Sequence, residues 1–168
     1  MKQKLISILV PLVLVLGFLF WWFSANQVLK RRSADIIDCV RMEQGTGRIE
    51  RAFKAENLRD LIDENITVVY PQMESTFSHR LSTNEAITLP EDRAKSALLY
   101  LTELAEWITV SEEQIDVLEH DNSSASVSVA FNLEAKLKGK PKQSAPLKGV
   151  FEYNYTNNRW LLTAARFE

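Results

Sequence analysis

The sequence predicts an α+β domain, helices first and antiparallel strands last, carried behind one transmembrane helix. Three observations predict it. From Leu5 to Phe23 the only polar side chain is Ser7. After Pro90 the apolar residues recur at helical spacing, and from Ser124 to Lys138 they alternate at every second position. The 168 residues hold one compact domain once the apolar run is set aside.

The chain opens on a short basic tail, residues 1–4, and continues into an anchor over residues 5–24. A helix over Leu5–Phe23 is about 28 Å long at ~1.5 Å per residue, close to the hydrocarbon thickness of a bilayer. Pro11 and Gly17 fall inside the run, where membrane helices tolerate them better than soluble ones do. Trp21 and Trp22 stand at its far end, the headgroup level that indoles favour, and Phe23 closes it. A cleaved signal peptide would have a shorter apolar stretch and small residues at the cleavage site, whereas Phe23-Ser24-Ala25 places a bulky ring there. A buried core helix would need apolar surface around Phe18, Phe20 and the two tryptophans that the rest of the chain does not offer.

Residues 25–32 end in Lys30-Arg31-Arg32 and read as a basic juxtamembrane linker, with the domain at 33–168. Lys2, Lys4 and the amino terminus flank the other side of the span, so the positive-inside comparison leaves open which side the domain faces. The expected location is a cell membrane, crossed once. All 22 acidic residues lie after Arg32, which makes the domain acidic and argues against nucleic acid as a partner. Cys39 is the only cysteine, so neither an internal disulfide nor a multi-cysteine zinc site can form.

Within the domain, Ile36, Ile37 and Val40 at helical spacing predict a helix over Ser33–Gln44, able to continue the anchor helix because no Pro or Gly lies between Phe18 and Gly45. Gly45-Thr46-Gly47 breaks it, and Thr46 is a cap candidate for a second helix holding Ile49, Phe53, Leu58, Leu61 and Ile62. Ile66–Tyr70 is β-branched and aromatic and ends at Pro71, the pattern of a short strand. Residues 72–88 are ambiguous. Pro90-Glu91-Asp92 suits a first helical turn, with Ala94, Ala97, Leu98, Leu101, Leu104, Ala105 and Ile108 as its apolar stripe. Strands follow near 108–119, 124–138, 146–156 and 159–167. In the second, Ala125, Val127, Val129, Phe131, Leu133, Ala135 and Leu137 share one face against a polar row that includes Ser126, Ser128, Asn132 and Glu134. Such a strand is covered on one side only. Asp121-Asn122 and Asn157-Asn158 mark hairpin turns, Asn being tolerant of positive φ.

This element order, with the terminal hairpin Val150–Tyr155 and Arg159–Leu162, resembles the nuclear-transport-factor-2-like superfamily, the cystatin-like α+β cone in which a curved antiparallel sheet wraps three helices. The resemblance covers about residues 33–168 and rests on no short motif. It implies an isomerase, dehydratase or cyclase, or a domain that only binds a ligand or a partner.

An enzyme of that fold would hold an acid or base between sheet and helices. His79 and His120 read as exposed loop residues, and Asp60 and Asp63 as part of a solvated helix face with Glu56 and Glu64. No set of residues forms a catalytic pattern, no metal-ligand spacing or phosphate loop is present, and no cofactor is expected. Tyr70, Tyr100, Phe131, Tyr153 and Tyr155 are the candidates for lining a ligand pocket. Ser126, Ser128, Asn132 and Glu134 are the candidates for meeting a partner. Lys136, Lys138, Lys140, Lys142 and Lys148 make a basic hairpin tip, read first as a solubilising feature and second as a site for anionic lipid or an acidic partner. The expectation is a single-pass anchored binding module, non-catalytic, whose partners are the bilayer and a membrane-bound protein or a second copy of the chain. The alternatives are an enzyme acting on a small hydrophobic ligand and a structural subunit of an envelope or secretion complex.

Overall fold

A computed structural model describes residues 13–70 and 85–168. Leu5 and Pro11 of the expected anchor, His79 and most of the ambiguous segment 72–88 lie outside the described residues. Four helices are present among those described: α1 (Val13–Trp22), α2 (Ala25–Val40), α3 (Arg48–Leu61) and α4 (Glu91–Leu104). The strands are β1 (Ile62–Tyr70), β2 (Glu85–Pro90), β3 (Ala105–His120), β4 (Ser124–Leu137), β5 (Lys142–Thr156) and β6 (Arg159–Phe167). They form one six-stranded sheet in the order β2-β1-β6-β5-β4-β3.

The helix expected as an anchor does not continue straight into the domain. The chain turns at Phe23-Ser24, and α1 and α2 are bent by 53°. Among the described residues no single helix is long and apolar enough to cross a membrane; α1 and α2 pass that test only as a bent pair. The bend falls where the apolar run of the sequence ends. Arg31 holds it, its guanidinium donating to the Trp22 carbonyl at 2.6 Å and stacking 4.2 Å from the Trp22 ring centroid. Residues 25–32 are the first half of α2 and not a separate linker, because Leu29 is fully buried in the core and ties that half-helix to the domain.

The sheet departs from an all-antiparallel one at β1, which lies parallel to β6. A parallel neighbour needs a long crossover, and the chain between them passes through β2, α4 and three further strands. β3 begins at Ala105 and β5 at Lys142, both earlier than expected, since pairing with β4 recruits the polar stretch Lys142–Pro146 into the ladder. Thr46 does not cap α3: its hydroxyl donates back to the Glu43 carbonyl at 2.8 Å, and Gly47 occupies the cap position.

α4 buries Ala94, Leu98 and Thr102, while Ala97, Leu101 and Leu104 are exposed. The expected stripe is therefore rotated and cut short. Ala105 and Ile108 are buried, but as strand residues of β3, because Ile108 and Val110 continue a period of two just where the helical period stops. The core lies between α2, α3, α4 and the inner sheet face, where Val127, Val129, Phe151, Tyr153 and Leu162 meet Leu29, Ile36 and Leu98.

Candidate functional site

The five aromatic candidates do not converge on one pocket. Tyr70 lies exposed at the end of β1, and Tyr100 is exposed on the outer side of α4. Phe131 is half-buried on the inner sheet face, its ring edge-on to Phe167 at 6.5 Å. Tyr153 is buried at the centre of the core, and Tyr155 stands at the sheet end, 5.1 Å from the Trp160 ring.

The interior has one polar pair at its heart. Ser33 on α2 and Tyr153 on β5 are both buried, with their hydroxyls 2.8 Å apart. Burial drives the Tyr153 phenol well above the ordinary tyrosine range, only partly offset by the Ser33 hydrogen bond and the nearby Arg32. The phenol therefore stays neutral near neutral pH, its hydroxyl paired with that of Ser33. Cys39 is likewise buried, and desolvation pushes its thiol up to about 11.

The two ends of the domain are chemically different. At one end the α1–α2 bend meets the β3–β4 turn and the β5–β6 turn. Asn157 and Asn158 both adopt positive φ, 52° and 62°, which makes the second a tight two-residue hairpin loop of the primed kind. In the first, the Asp121 carboxylate accepts from the backbone N–H groups of Ser123 and Ser124, each at 2.7 Å, and from both hydroxyls. Those bonds hold its pKa down at about 2.

Between these turns and the bend lies a cleft of about 420 Å³, walled by Phe23, Arg32, His120, Tyr155, Arg159 and Trp160 among others. His120 is exposed at its mouth. Sequence reasoning assigned Arg32 to a linker and Arg159 to a hairpin, and nothing in their local pattern says that the fold brings them to one cleft.

The opposite end carries the basic tip. There Lys136 donates to the Lys140 carbonyl at 2.6 Å and Lys142 pairs with Glu134 at 2.8 Å. β4 runs the full distance between the ends, and its 14 residues span about 45 Å at ~3.3 Å each.

On the outer sheet face Ser126, Ser128, Asn132 and Glu134 line up as half-exposed neighbours, pointing away from the helices. Asn132 donates to Glu112 at 2.7 Å, so this row is polar and partly internally paired. Glu112 has φ 55° at a bulge between Ser111 and Gln114. The extra residue sends Glu112 to Asn132 and its neighbour Glu113 to Arg41. Among the described residues no group of His, Cys, Asp and Glu side chains is placed to hold a metal ion.

No protein-family model and no curated protein matches this chain. Solved structures do. A ketosteroid isomerase-like protein from Erwinia carotovora atroseptica matches with TM-score 0.60 at 12% identity, covering 86% of this chain and 95% of that one. A candidate dehydratase of the nuclear-transport-factor-2-like family from Streptomyces avermitilis matches with TM-score 0.57 at 10% identity, over 84% and 93% of the two chains. A nuclear-transport-factor-2-like protein from Cytophaga hutchinsonii gives 0.56 at 11% identity, over 86% and 98%. The domain therefore has the nuclear-transport-factor-2-like fold, an α+β arrangement of a curved open sheet and helices.

Proposed function

We propose that this chain is a single-pass membrane-anchored domain that works as a binding module and not as a catalyst. The observation that carries the reading is the contrast between the two faces of the sheet. Inside, the buried hydroxyls of Ser33 and Tyr153 bond to each other, and the buried Cys39 thiol is kept protonated by desolvation. Outside, Ser126 and Ser128 stand half-exposed in a polar row suited to meeting another surface. The anchored half of the reading is supported by α1 and the turn after it, whose large apolar side chains stay largely exposed, with Trp22 stacked on Arg31 and Phe23 at the cleft wall as their contacts with the domain. Their exposure runs from 39% at Trp22 to 81% at Phe20, a pattern that lipid would cover. A tether then raises the local concentration of membrane-bound partners without any new contact.

Two measurements test the halves separately. The full chain should stay in the membrane pellet after alkaline carbonate, and release would sink the anchor. In a strain lacking the gene, Ser128→Arg should fail to complement although it folds, while Tyr153→Phe and His79→Ala should complement. A folded Tyr153→Phe or His79→Ala chain that fails would put an enzyme of the isomerase or dehydratase kind, the sort named among the fold's neighbours, ahead of the binding module.

A further inference from the structure

We propose that the cleft at the α1–α2 bend is a binding site for the phosphate of an anionic phospholipid head group. The inference rests on the membrane-anchored reading and adds to it a ligand and a site.

The position of the cleft comes first. Its wall includes Phe23, the residue directly after Trp21-Trp22, and these aromatics mark headgroup level where the anchor leaves the hydrocarbon. The Arg31–Trp22 contact clamps the bend, so domain and anchor share one orientation and the cleft is held at that depth. Its volume of about 420 Å³ falls within the ~300 to 1,000 Å³ usual for small-ligand sites.

The chemistry follows. Arg32 and Arg159 reach the cleft from α2 and the β5–β6 turn. Among the described residues neither makes an ion pair, whereas the adjacent Lys30 is paired with Asp116 at 3.1 Å and Arg31 is committed to Trp22. Two guanidinium groups from separate elements suit the oxygens of one phosphate, which they bind in a fork that lysine cannot reproduce. The one carboxylate lining the cleft, Asp121, is tied into its own turn by four hydrogen bonds from Ser123 and Ser124 and makes no ion pair with either arginine; its charge offsets one of the two guanidinium groups and leaves the other in excess. The start of α2 adds to the positive field. Ser24 turns its hydroxyl to the Trp21 carbonyl and leaves the first-turn N–H groups uncapped, with Ala25 in the cleft wall. The rings of Phe23, Tyr155 and Trp160 give the glycerol and upper acyl carbons an apolar wall. The lysine tip, about 45 Å away along β4, cannot serve the same leaflet surface.

The test uses the full chain in mild detergent, with thermal melting and native mass spectrometry as readouts. Short-chain phosphatidylglycerol should raise the melting temperature and be retained, while phosphatidylcholine of the same chain length should do neither. Arg159→Gln, in an exposed turn, and Arg32→Gln should each weaken phosphatidylglycerol binding about tenfold, the scale of one charge-assisted contact, with lipid-free melting unchanged for Arg159→Gln. Lys140→Gln should bind as the wild type does. The proposal is overturned if phosphatidylcholine binds equally, if Lys140→Gln loses as much as Arg159→Gln, or if Arg159→Gln binds normally. Glycerol phosphate competing at the same concentration as the lipid would assign the site to a soluble anion and overturn the lipid. Carbonate extraction separates the two readings: a chain that stays in the pellet but fails these lipid arms loses the site and keeps the anchor.

Discussion

The hydroxyl of Tyr153 lies 2.8 Å from that of Ser33, joining the last third of β5 to the middle of α2 inside the core. Each group supplies the other's hydrogen bond where water has no access, since both residues are buried to within 1% of full enclosure. The pair orients α2 on the sheet, and through α2 it sets the placement of Arg32 at the cleft.

Removing both partners should therefore cost less than the sum of removing each alone. Tyr153→Phe or Ser33→Ala alone strands a buried hydroxyl and should lose ~1 to 3 kcal/mol, whereas the double substitution should lose less than the two singles together. Urea unfolding of the four chains measures it, and simple additivity would show that the contact is not energetically real.

Alkaline stability should report the same pair. The folded Tyr153 phenol titrates above its unfolded value because burial disfavours the phenolate. Its contribution is whole below about pH 10, the ordinary tyrosine value, and falls away above that as only the unfolded chain releases the proton. Tyr153 should ionise only on unfolding. A phenolate signal from Tyr153, read as the difference from Tyr153→Phe, with an intact circular dichroism spectrum would contradict its burial.

The Asp121 turn should leave a mark at the acid end. Its folded pKa of about 2 lies below the unfolded value of 3.8, so its contribution is present above about pH 4 and is lost as the pH falls toward 2. Asp121→Asn should flatten that stretch of the stability curve. A variant with the wild-type acid profile would mean that the serine hydrogen bonds do not persist in solution.

Helix α4 offers a direct comparison of two leucines one turn apart in function. Leu98 is buried and Leu101 is 39% exposed, so Leu98→Ala should lose ~2 to 5 kcal/mol and Leu101→Asp under about 1. The reverse order in thermal melting would restore the helical stripe that the sequence suggests.

At Gly149 β5 passes β6 too closely to leave room for a side chain. A Cβ there would overlap the Arg166 carbonyl oxygen and lie 2.9 Å from the Phe167 ring, and a backbone atom cannot swing aside. Gly149→Ala should cost ~1 to 3 kcal/mol by forcing the strands apart. Unchanged melting would show that the terminal strand is loosely held.

The sequence by itself determined the features whose causes are local. The alternation from Ala125 onward decides that β4 is a strand with one covered face, Asn157-Asn158 decides the last hairpin turn, and Pro90-Glu91-Asp92 decides where α4 begins. Tertiary structure alone decided the rest. Which face of α4 is buried depends on α3 and the sheet beside it, so Ala94, Leu98 and Thr102 are covered and the more apolar Leu101 and Leu104 are not. β1 lies parallel to β6 because a pairing partner is chosen across nearly a hundred residues of chain, beyond the reach of any periodicity. Arg32, His120 and Arg159 share a cleft for the same reason. A side chain's rotation about its own backbone is set by its neighbours in sequence, but its company is set by which elements the whole core brings together.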